Sequence, residues 1–176
     1  MTWLTSASSP KYPVIINGRE VMLTAGELDT LIKKKLKQLI CIQRLFEQFE
    51  VSMDRLDNLS IIVVPLDKKY AETDGSTMKL NETLFDGGKF FEEYFFVVCH
   101  ELVHYLSRAK EEDSYFHDPE EVLGFCTSIA YEIENGSDFD EIWNKIYNKI
   151  AFHFNNEENS REFFQNMFIK AKNLLN

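Results

Sequence analysis

Residues His100-Glu101-Leu102-Val103-His104 decide how this chain is read. On a helix, positions four apart share a face, so His100 and His104 can offer two imidazole nitrogens to one metal ion. Glu101 lies one step round, within reach of a metal-bound water that it can hold and deprotonate. The chain has four histidines and this pair accounts for two of them.

The surrounding stretch, from about Lys89 to Arg108, is expected to form one long helix. With His100 at zero, Phe91, Phe95, Val98 and Leu102 fall within about 40° of the opposite side and Leu106 within about 60°, and His104 lies about 40° from His100. Glu101 stands about 100° away. Both imidazoles therefore point away from an apolar ridge, while Phe96, Val97 and Val103 flank them. That is the polarity of a helix on a cleft floor.

Upstream, Leu59–Pro65 is a β-branched run and reads as a buried strand. Thr77–Leu84 reads as a second strand after an Asp74-Gly75 turn. Asn17-Gly18, between Val14-Ile15-Ile16 and Val21-Met22-Leu23, marks a tight hairpin. Thr24-Ala25-Gly26-Glu27 is a capping box that opens a helix running to about Phe49, striped by Leu28, Leu31, Ile32, Leu39, Leu45, Phe46 and Phe49. Lys33, Lys34, Lys35 and Lys37, the one basic cluster, read as its solvated face. Gly87-Gly88 punctuates the approach to the motif helix. Downstream, an acidic loop covers Lys110 to Asp118, Pro119 suits a first helical turn, and Asn135-Gly136 closes that helix after Glu134. Helices near 139–153 and 160–175 carry Phe139, Trp143, Tyr147, Phe152, Phe163, Phe164 and Phe168. These aromatics are expected to pack on the domain, and an exposed stripe among them would make a protein-partner surface.

These elements predict an α+β chain, mostly helical, with a small sheet before the HExxH helix. One domain is expected over 1–176: a hairpin plus helix at 12–50, a catalytic core at about 59–135 and C-terminal helices at 137–176. A chain of 176 residues with 44% hydrophobic content, 15 Phe and 7 Tyr can bury a sizeable core. The net charge of -10 disfavours a nucleic-acid partner. Cys41, Cys99 and Cys126 form neither a disulfide framework nor a CxxC zinc pattern, which fits a reducing cytoplasm. The first ten residues lack a signal-peptide pattern, and no apolar run approaches membrane-spanning length.

Catalytic zinc takes three protein ligands and leaves a position to water. His117, Asp118, Glu120 and Glu121 follow the motif within reach. The metzincin pattern is excluded because Ser107 and Lys110 stand where it needs Gly and His. The order strand, strand, HExxH helix, loop and glutamate helix resembles the gluzincin clan of zinc metallopeptidases, above all its small members. The likeness spans about 59–134. It implies a zincin-like fold, Zn²⁺ as cofactor and a third ligand on the second helix, followed three positions later by a small residue. Glu121 with Gly124 fits that pattern, with Glu120 in reserve. The stretch Gly75 to Phe85 resembles the strand that, in that clan, lines the cleft and pairs with an extended substrate. The resemblance leaves two places for the N-terminal hairpin and helix: a cover over the cleft, or part of the core.

In this reading His100, His104 and Glu121 bind Zn²⁺, Glu101 is the general base, and Tyr115 or His117 donates to the oxyanion. Glu93, Glu112 and Asp118 are candidates to orient the imidazoles. Cys99 and Cys126 read as small buried hydrophobes. The leading function is hydrolysis of peptide bonds in a peptide or protein substrate. One rival is a catalytically silent zincin scaffold that binds or regulates. Another is a closed structural zinc site completed by His117.

Overall fold

The computed structural model describes residues 9–107, 119–150 and 157–176. Its architecture is mixed α+β and mainly helical, with two small sheets. The hairpin forms as expected from β1 (Lys11–Ile16) and β2 (Arg19–Thr24), with Asn17 and Gly18 both at positive φ, 51° and 73°. A two-residue turn of that hand matches the twist of its strands. Thr24 and Glu27 form the reciprocal capping box of α1 (Ala25–Gln38).

The continuous helix to Phe49 does not form. It breaks at Leu39, whose backbone is extended at φ -81° and ψ 130°. The cause lies far away in sequence. The Glu134 carboxylate accepts the Ile40 and Cys41 N–H groups at 2.7 and 3.0 Å, satisfying the first turn of a new helix, α2 (Ile40–Gln48). The lysines also depart from a simple solvated face. Lys33 pairs with Asp29 at 3.0 Å and Lys37 with Asp57 at 2.8 Å, while Lys35 lies over the Phe95 and Tyr131 rings. Their aliphatic stems cover apolar surface as their charges find partners.

The second sheet has three strands: β3 (Ser60–Val64), β4 (Ala71–Asp74) and β5 (Thr77–Asn81), in the order β3-β5-β4. β4 was not legible in the sequence, since Ala-Glu-Thr-Asp has weak strand preference. Pairing with β5 holds it, aided by a 2.8 Å Lys79–Glu72 ion pair between register partners. β5 stops at Asn81, short of Leu84, because the Asn81 side chain accepts the Thr83 N–H at 3.2 Å and opens a tight helical segment, Glu82–Gly88, that kinks at Asp86 and Gly87.

The motif helix runs without a break from Phe90, as expected, but its first turn is not regular. Phe90–Tyr94 forms one wide turn and regular α3 covers Phe95–Ser107. Phe95, Val98, Leu102 and Leu106 are buried as the helical layout requires, and Phe96, Val97 and Val103 are buried too, so α3 runs through the core. Helices α4 (Pro119–Glu134), α5 (Phe139–Ile150) and α6 (Glu157–Leu174) follow. Phe139, Trp143 and Phe164 pack ring against ring, and Ile169 on α6 remains 59% exposed. Val14, Leu28, Ile32 and Leu36 join the same core cluster as α3 and α4, so the N-terminal elements pack into the body of the fold. No helix among the described residues is long and apolar enough to cross a membrane.

Candidate metal centre

α3 and α4 lie antiparallel, and their contacts recur at helical spacing. Tyr131 packs on Phe95 with ring centroids 5.1 Å apart, and the Ser128 hydroxyl donates to the Phe96 carbonyl at 2.8 Å. One turn on, His100 faces Gly124: a Cβ at Gly124 would stand 2.8 Å from both Cε1 and Nδ1 of the His100 ring. Phe125 closes the other side of that ring, edge-on at 4.7 Å. A further turn on, His104 meets Glu120 and Glu121. Small residues at 124 and 128 thus let the two helices approach until a carboxylate from one reaches two imidazoles on the other.

Among the described residues, His100, His104 and Glu121 form a group whose ligand atoms all lie within 4.8 Å of one another. His100 Nε2 is 3.1 Å from Glu121 Oε2, His104 Nε2 is 3.3 Å from Glu121 Oε1, and the two Nε2 atoms are 3.3 Å apart. Corners of a tetrahedron with Zn–N and Zn–O distances near 2.0–2.1 Å stand about 3.3–3.4 Å apart. The two Nε2 atoms meet that spacing, while the two Glu121 distances run to different oxygens of its carboxylate. Two imidazoles and one carboxylate are a donor set that suits zinc.

The electrostatics follow from this crowding. Burial opposes charge on His104, but the hydrogen bond it donates to Glu121 and the charges of Glu101, Glu121 and Glu120 outweigh it and raise its pKa to about 8. Burial likewise opposes charge on Glu121, yet its hydrogen bonds with His100 and His104 lower it to about 2.

Glu101 is nearly buried, at 9% exposure, and stays outside the three-residue group. The Thr73 hydroxyl lies 2.9 Å from Glu101 Oε2 and 3.3 Å from the Glu101 carbonyl. Thr73 shares a face of the sheet with Ala71, and their register partners Met78 and Leu80 are buried on it. Sequence reasoning missed this contact because Thr73 lies on β4, whose residues carry little strand preference. The strand assignment changes with it. β5 has neighbours on both edges, so it has no free edge for an extended substrate; β3 and β4 are the edge strands, and β4 packs beside α3.

Glu120 does not join the three donors. Its Oε2 sits 3.8 Å from His104 Nδ1 and accepts the Ser107 hydroxyl at 2.8 Å. Glu93 pairs with Lys89 at 3.3 Å. Cys99 and Cys126 are buried free thiols; burial raises Cys99 well above its usual range and Cys126 to about 11. Tyr115, His117, Asp118 and Glu112 lie outside the described residues. No protein-family model, curated protein or solved structure matches the chain.

Proposed function

We propose that this chain is a zinc-dependent metallopeptidase with a zincin-like, gluzincin-type core. The observation that carries the reading is the convergence of His100, His104 and Glu121 beside the nearly buried Glu101 carboxylate. Two imidazole nitrogens 3.3 Å apart repel through their lone pairs unless a proton or a cation lies between them. A cation with open coordination gives that arrangement a purpose.

Zn²⁺ bound there would lower the pKa of its water to near neutrality and polarise a carbonyl. His100 and His104 donate through Nε2, and Glu121 supplies the third ligand from α4. Glu101 would hold the attacking water and accept its proton as the water oxygen bonds to the peptide carbonyl carbon. It then delivers that proton to the leaving nitrogen as the C–N bond breaks. Thr73 holds one Glu101 oxygen and leaves the other for this transfer. Among the described residues no strand covers the outer edge of β4, which supports an extended peptide as substrate, bound by main-chain hydrogen bonds.

The test is a peptide-library time course with wild type and Glu101→Gln, both zinc-loaded. Cleavage by the wild type that disappears in Glu101→Gln, with zinc content unchanged, supports the reading. Absence of cleavage by zinc-loaded wild type across the library overturns it in favour of a silent scaffold.

A further inference from the structure

We infer that Glu120, tethered by Ser107, is the positioning residue that orients His104 for metal binding. This rests on the metal reading above. His104 spends Nε2 on the cluster, 3.3 Å from both His100 Nε2 and Glu121 Oε1. A neutral imidazole that offers the Nε2 lone pair carries its proton on Nδ1. On that side stands Glu120 Oε2, at 3.8 Å. The same oxygen accepts the Ser107 hydroxyl at 2.8 Å. Ser107 lies three residues beyond His104 on α3, so its hydroxyl ties the α4 carboxylate to the turn that carries the imidazole. The side chains of His104 and Glu120 keep 24% and 21% of their exposure, so solvent only partly screens the pair. At this distance the carboxylate acts on the ring as an opposite charge rather than through a hydrogen bond, which favours the proton on Nδ1 and makes Nε2 a stronger donor. Two adjacent glutamates on α4 thereby divide the work: Glu121 reaches the metal position and Glu120 the back of a ligand.

Zinc affinity, read by chelator competition on the full chain, tests this without reference to activity. Glu120→Gln is expected to bind zinc about 10–100-fold more weakly. Ser107→Ala should weaken binding about three- to tenfold, the size of one hydrogen bond, and Ser107→Thr should restore it. Circular dichroism of the metal-free variants separates these losses from misfolding. Cobalt-loaded Glu120→Gln should show shifted visible bands, which a purely structural role would leave in place. Wild-type affinity in Glu120→Gln overturns the inference. So does loss of all binding in Glu120→Gln while Glu121→Gln still binds, since Glu120 would then be the ligand. A wild type that takes up no zinc overturns the metal reading itself, and this inference with it.

Discussion

At position 124 any side chain larger than hydrogen would occupy the space of the His100 imidazole, 2.8 Å from two of its ring atoms. Gly124→Ala therefore forces the ring or the helix to move. The expected cost is about 1–3 kcal/mol, the usual scale for overpacking a filled site. Zinc affinity should fall with it, because His100 Nε2 would move away from the proposed metal position. Urea melts and chelator titration check both quantities, and wild-type values in both would show that the close approach is not needed. The grouping of His100 and His104 was readable because it depends only on helical period, and Gly124 was readable as a small residue three places after Glu121. Thr73 and Ser107 were not readable in their roles. Each touches a partner 28 or 13 positions away, and a single sequence does not say which faces of distant elements meet.

Local chemistry likewise decided which elements could be read. The Asn17-Gly18 hairpin, the Thr24–Glu27 box and the Pro119 and Gly136 limits of α4 each depend on residues within a turn of one another. The break at Leu39 has no such signal, for neither Pro nor Gly interrupts the stretch from Leu28 to Phe49. It arises because Glu134, 94 positions from Ile40, accepts the N–H groups of Ile40 and Cys41. Glu134→Ala strands those two donors at the start of α2. A loss of about 1–2 kcal/mol is expected, as for removal of a charged cap. A urea midpoint indistinguishable from wild type would show that water replaces the carboxylate without cost and that the break has another origin.

For the molecule as a whole, the proposed metal would compete with protons for one cluster. In the metal-free protein the His104 pKa stands near 8, above its ordinary 6.5. A raised folded pKa adds stability that is fully present below 6.5 and is lost as pH climbs through about 8. Glu121, lowered from 4.5 to about 2, contributes above 4.5 and loses its contribution as pH falls through about 2. Chelated protein should thus weaken between pH 6.5 and 8. Zinc must displace the His104 proton, so its stabilising effect should grow across that same interval. Melting temperatures with chelator and with zinc, taken at each end of the window, should diverge toward the alkaline end; a constant gap would rule out the competition. The antiparallel meshing of α3 with α4 has a consequence for descent. One residue inserted within either helix turns everything beyond it by about 100°, unmeshing the pair at once. Side chains along the two helices can drift one at a time, but their count cannot. The spacings Phe96, His100, His104 and Glu121, Gly124, Ser128 are therefore the signature by which a widely diverged copy of this helix pair would still be recognised.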